Sequence, residues 1–162
     1  MNSTKILLLL LILIPVFTTL PAAAEEKPVQ LSLVTPLQIV PEEDSINAIR
    51  LNLLYGRNAS VRGLDLGLIN HTTTGLSKGL QTGFVSLADA DFLGLQYSVV
   101  NVTRNDFEGM QWGFVNYAAK AHGLQLGFFN YAETMHGLQI GLINVIREGG
   151  ALPVLPIVNW SF

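Results

Sequence analysis

One eight-residue phrase recurs six times between residues 63 and 144, and it constrains the fold more than any other feature of the chain. The copies are Gly63-Leu-Asp-Leu-Gly-Leu-Ile-Asn70, Gly79-Leu-Gln-Thr-Gly-Phe-Val-Ser86, Gly94-Leu-Gln-Tyr-Ser-Val-Val-Asn101, Gly109-Met-Gln-Trp-Gly-Phe-Val-Asn116, Gly123-Leu-Gln-Leu-Gly-Phe-Phe-Asn130 and Gly137-Leu-Gln-Ile-Gly-Leu-Ile-Asn144. Their first glycines are 16, 15, 15, 14 and 14 residues apart. A unit this short cannot bury its own apolar side, so the copies must stack on one another. Weaker copies flank the six. Ile49, Leu51 and Leu53 occupy the apolar columns after Ala48, and Leu155 and Ile157 do so before Asn159. Atypical terminal copies suit the capping role that a stacked array needs.

Within each copy, apolar residues fall one, three and five positions after the first Gly, and the opposite parity carries a Gln column and a Gly or Ser column. Period-two alternation over five or six residues predicts strand. The apolar columns, Tyr97 and Trp112 among them, are expected to face inward. A second inward column, two residues before each Gly, comprises Val61, Ser77, Phe92, Phe107, Ala121 and Met135. Two architectures accommodate the pattern. The reading adopted is an all-β solenoid of about eight 14–16-residue coils with capped ends, a rod roughly 35 Å long at about 4.8 Å per coil. Its Asn and Gln columns then form amide ladders. The alternative is an antiparallel outer-membrane β-barrel, suggested by the alternation Val154, Val158, Trp160, Phe162 at the chain end. A lipid-facing barrel side must be apolar throughout, whereas Gln lies on one parity here and Asn on the other. Pro153 and Pro156 sit in the last copy, where no further coil needs their missing N–H groups.

The first 24 residues read as a secretory leader: Lys5, an apolar run at 6–14 and the ending Pro21-Ala22-Ala23-Ala24. The remaining 138 residues divide into a cap segment, 25–47, and a β-repeat domain, 48–162. Without the leader the chain has eight Lys and Arg against twelve Asp and Glu, near −4, so no basic field exists to hold nucleic acid. The chain has no Cys, which removes disulfides, thiolate metal sites and Cys nucleophiles.

The segment Lys27-Pro-Val-Gln-Leu-Ser-Leu33, the segment Thr35-Pro-Leu-Gln-Ile39, the repeats and the ending Leu152-Pro-Val-Leu-Pro-Ile-Val-Asn-Trp-Ser-Phe162 together resemble a leptospiral-type family of bacterial surface-repeat proteins. The resemblance spans essentially the whole chain after the leader. It implies an exported envelope or surface protein of uncharacterised molecular function. Some relatives are lipoproteins, but this chain lacks the Cys that would carry lipid. Some carry a polyhydroxyalkanoate-synthase label, and that chemistry uses a Cys nucleophile this chain does not have.

Candidate chemistry is thin. His122 and His136 share the column just before the Gly on consecutive coils, where stacking could let them share a metal ion or respond to mild acid. Tyr117 and Tyr131 follow the Asn column and could form an aromatic strip for stacking on sugars. Gly75-Leu-Ser77-Lys-Gly79 matches Gly-x-Ser-x-Gly but lacks the strand-then-helix context of a nucleophile elbow. Asp89, Asp91, Asp106 and Glu108 do not have the spacing of a Ca²⁺ loop. Sequons at Asn58, Asn70, Asn101 and Asn159 coincide in part with ladder positions, where the side chains are expected to be buried. The expectation is an exported, non-enzymatic structural or interaction module without cofactor or metal. Its partner would be an unknown envelope or extracellular molecule, and membrane association remains possible. A carbohydrate-binding module is a further alternative.

Overall fold

In the computed structural model, residues 25–162 are described; the leader expected at 1–24 lies outside them. The elements are β1 (Glu26–Val34), β2 (Leu37–Gln38), β3 (Ser45–Asn58), β4 (Arg62–Thr72), β5 (Ser77–Ala88), β6 (Phe92–Trp112), β7 (Val115–Leu126), β8 (Phe129–Glu148) and β9 (Val154–Ser161). They form one sheet in the order β2-β1-β3-β4-β5-β6-β7-β8-β9. Every pairing from β1·β3 to β7·β8 is parallel. Like sits on like: Gly63 pairs with Gly79, Gln81 with Gln96, Asn116 with Asn130. The fold is a β-solenoid of about eight coils. Parallel, in-register stacking excludes the antiparallel barrel meander, because only parallel coils place the same residue at the same point of every turn.

The Gln column is the interior, and it begins before the first recognisable repeat. Gln30, Arg50, Asp65, Gln81, Gln96, Gln111, Gln125 and Gln139 mark eight successive rungs, all buried. At about 4.8 Å per rung the stack is about 34 Å long. Each Gln donates through Nε2 to the Oε1 of the rung before it: Gln96 to Gln81 at 2.8 Å, Gln111 to Gln96 at 2.8 Å, Gln125 to Gln111 at 2.6 Å and Gln139 to Gln125 at 2.7 Å. Gln81 donates to the Asp65 carboxylate at 2.9 Å, and Arg50 grips that carboxylate with Nε and Nη2, both at 2.7 Å. In the later rungs the remaining amide proton goes to the carbonyl six residues on in the same coil, as Gln111 does to Tyr117.

The Asn column donates the other way. Asn101 Nδ2 donates to Asn116, Asn116 to Asn130 and Asn130 to Asn144, at 2.9, 2.8 and 2.8 Å. The same amides donate to main-chain carbonyls at the coil's bend, as Asn130 does to Ile140 at 3.0 Å. A directional chain leaves one acceptor unused where it starts. Among the described residues, the buried oxygens without partners are Asn52 Oδ1, Asn101 Oδ1 and Gln139 Oε1, each at the starting end of a ladder. The Asn ladder breaks at Ser86, whose shorter side chain instead meets Ser98 Oγ at 2.6 Å. The rest of the interior is small and apolar. The column two residues before each Gly is buried as expected, with Phe92 and Phe107 stacked at 6.2 Å, against Ala88, Ala118, Ala132 and Ile146.

The columns one, three and five residues after each Gly face outward, which corrects the inward placement expected from sequence. Phe84, Tyr97, Trp112 and Phe114 are each more than half exposed. The cause is space. Beneath this strand the interior is filled by Gln amides and by the Asn ladder. A Cβ at Gly113 would lie 2.6 Å from Asn101 Nδ2, and one at Gly127 2.5 Å from Asn116 Nδ2. No leucine fits there. A second correction concerns the C-terminus: β9 is not a parallel eighth repeat but folds back antiparallel to β8, pairing Gln139 with Asn159. Pro156 accordingly lies in an edge strand, where a missing N–H is tolerated. Segment 25–47 contributes β1, which supplies the first rung, and β2, which lies at the opposite sheet edge.

Gly109 has φ 127° and a Cβ there would sit 2.1 Å from Gly94 O, so Gly109→Ala should cost more than about 2 kcal/mol. Gly75 has φ 70° with open space around it, so Gly75→Ala should cost about 1 kcal/mol. Equal losses in urea titration would contradict the stacking argument. Asp65→Gln alone should cost about 3–5 kcal/mol by leaving the Arg50 guanidinium buried and unpaired. Arg50→Gln with Asp65→Gln should recover most of that loss by extending the ladder, and a double variant no better than the single would refute this account.

Candidate functional site

The largest feature with functional potential is the outward apolar face. Its three columns over eight rungs give twenty-four positions with no charged residue. The Thr82 and Tyr97 hydroxyls and the Trp112 indole N–H are its polar groups. The outer Cα columns enclose about 34 Å by about 13 Å before side chains widen the face, larger than the scattered apolar surface normal for a soluble monomer. Strand pairing holds it rigid, since every column sits on a hydrogen-bonded stack.

The face is not uniform. Its first three rungs are aliphatic, and a groove of about 560 Å³ runs there between Leu31, Leu51 and Leu66 on one side and Leu33 and Leu53 on the other. Rungs four to seven carry the aromatics. Tyr97 and Trp112 pack edge to face at 5.3 Å, and Phe114 and Phe128 stack at 4.7 Å. A smaller groove of about 320 Å³ separates Tyr97 and Trp112 from Val99 and Phe114.

The residues singled out from sequence occupy two other places, and no shared cavity or hydrogen bond joins them. The His122 and His136 rings lie 6.2 Å apart, nearly perpendicular, at the rim of a cavity of about 570 Å³ lined also by Asp91, Asp106 and Glu108. Asp106 pairs with Lys120 at 3.1 Å, and Asp91 accepts from Asn105 at 2.6 Å. Among the described residues no group of three or more His, Asp or Glu is arranged to hold a metal ion. Tyr117 and Tyr131 stack at 5.3 Å with nearly parallel rings, half-buried against each other, and the Tyr117 hydroxyl donates to Glu133 at 3.4 Å. Ser77 is buried and its Oγ accepts the Val61 N–H at 3.2 Å, so the Gly-x-Ser-x-Gly match is a structural coincidence of the repeat. The sequon asparagines Asn58, Asn70, Asn101 and Asn159 are all buried.

One polar chain went unseen in the sequence. His71 Nδ1 meets the Tyr55 hydroxyl at 2.8 Å and His71 Nε2 meets Asp89 at 2.8 Å, while Arg104 holds the other Asp89 oxygen at 2.8 Å. A carboxylate only accepts, so neutral His71 carries its proton on Nε2 and accepts from Tyr55. Burial pushes the Tyr55 hydroxyl above its ordinary pKa, which keeps its proton on and suits a tie between rungs rather than a nucleophile. Tyr55, His71 and Asp89 come from three different columns, and Arg104 shares only that of Asp89, so the repeat pattern gives no signal for the chain.

No family model, curated protein or solved structure matches the chain.

Tyr117 supplies a pH test. Burial, then the neighbouring Glu133 charge, raises its pKa above the ordinary 10.0. The folded state therefore holds this proton more tightly than the unfolded chain, and the stability it adds is complete below about pH 10 and lost as pH rises through the folded value. Tyr117→Phe should flatten the alkaline fall of the urea midpoint; an unchanged slope would mean that the hydroxyl is fully solvated.

Proposed function

We propose that this chain is an exported, non-enzymatic interaction module of the cell envelope that works by applying its apolar face to another apolar surface. The observation that carries the reading is the uncharged face of twenty-four rigidly spaced positions. Contiguous apolar surface of this extent marks interaction sites on soluble proteins. Binding energy would be spread over many equivalent rungs, with Trp112, Tyr97 and Phe114 as the anchors, since exposed aromatics on a rigid frame lose little entropy on contact. The leader at 1–24 and the resemblance to bacterial surface-repeat proteins support export to the envelope. The polar chain at His71 and the buried Ser77 offer no competing catalytic arrangement.

The test is cell fractionation. The native protein should partition with the envelope or with large assemblies, and Trp112→Glu with Phe114→Glu should release it while far-UV circular dichroism stays the same. His122→Ala with His136→Ala should leave partitioning as it was. Identical partitioning of native and face-substituted protein would overturn the reading.

A further inference from the structure

Resting on that reading, we infer that the apolar face is covered by a second copy of this chain, packed face to face with its rungs running in the opposite direction. Twenty-four positions on each side fall within the 20–30 residues that a standard protein–protein interface uses per partner. Two flat sheet faces pack about 10 Å apart with interleaved side chains.

The distribution of bulk along the face makes it self-complementary in this arrangement. A twofold axis parallel to the strands, lying in the interface between the fourth and fifth rungs, keeps each column on its own column. It sets rung one against rung eight, two against seven, three against six and four against five. Trp112 of the sixth rung then meets Leu66 of the third, and Phe114 meets Leu68. The aromatic rings of the sixth and seventh rungs thus lie against the leucines of the other copy's third and second rungs, large side chain on smaller. Thr82 and Tyr97, the two hydroxyls of the face, become neighbours across the axis. Just outside the face, in the column before the Gly, Arg62 comes opposite Glu108. Both are exposed; Arg62 makes only a surface pair with Glu26 at 2.9 Å, and among the described residues no cation pairs with Glu108. The other face-to-face twofold axis, along the rod and over the middle column, sets each rung on its own copy, so that Trp112 meets Trp112 and the leucine rungs meet one another. A lipid surface is the competing occupant. It would take the apolar columns but has no use for the match of large to small side chains or of Arg62 to Glu108, and the chain's acidic balance gives it no attraction to anionic headgroups.

The absence of Cys makes the test direct. Residues 25–162 should sediment as a dimer at micromolar concentration. A mixture of Leu66→Cys and Trp112→Cys chains should be joined by a bifunctional maleimide that spans about 10 Å, the spacing of packed sheets, while Trp112→Cys alone should not. Glu108→Arg should weaken dimerisation at least about tenfold and Arg62→Glu added to it should restore it, a charge reversal that leaves the core untouched. A Trp112→Cys chain crosslinked to its own copy, or no rescue by the reversed pair, would overturn the antiparallel arrangement. A monomer that binds phosphatidylcholine vesicles with a blue shift of Trp112 emission would overturn the dimer and leave the interaction reading standing. A monomer indifferent to vesicles, with Trp112 still in water, would overturn both.

Discussion

Everything in this structure depends on the side-chain amides of one column being satisfied by the same column in the next coil. A primary amide buried without partners costs several kilocalories per mole. Here Gln96, Gln111 and Gln125 each accept from one neighbour and donate to another, and Asn116 and Asn130 do likewise. Burial of polar side chains is then no longer a penalty, and the interior need not be apolar. Where the sequence departs from the rule, it does so with compensation. Arg50 and Asp65 replace two glutamines by a bidentate ion pair that still accepts from Gln81. Ser98 stands where other copies have glycine, in the coil that stacks on Ser86 rather than asparagine.

A polar interior pushes the apolar residues out. In most folds leucine and phenylalanine define the core, but here the core that is apolar is a narrow strip of Phe92, Phe107, Met135 and alanines beside the Gln ladder. Charge is kept off the apolar face. Arg104–Asp89 and Lys120–Asp106 bridge neighbouring rungs elsewhere on the surface. Exposed pairs of this kind add little stability. What they do is mark one part of the coil as the solvated one, leaving another free to meet a partner.

The period, the strands, the ladders and the inward column ending in Met135 were legible in the sequence because each is a repetition, and repetition survives any packing. Which parity faces in was not, because the rule that apolar residues go inside is a statement about cost, and the ladders remove the cost. A better signal was present in the columns themselves. The two ladder columns hold nearly one residue type, Gln or Asn. The exposed ones wander through Leu, Met, Thr, Tyr, Trp, Phe and Val, since a surface position need not match its neighbours in shape. The reversal of β9 was hidden because the spacing of Leu155, Ile157 and Asn159 suits either direction, and Asn159 is buried in both. The Tyr55–His71–Asp89 chain was hidden because it runs diagonally across columns, and no one-dimensional pattern records a diagonal.

The two ladders point opposite ways, glutamines donating toward the first rung and asparagines toward the last. Each amide carries a dipole of about 3.5 D, the same as a peptide unit. In a helix such dipoles add and give the ends opposite partial charges. In this rod they oppose one another, and the alternating strand carbonyls contribute little more. The amides therefore give its two ends no opposite partial charges, and lengthening the stack by a coil would add hydrogen bonds without building up a dipole along the axis.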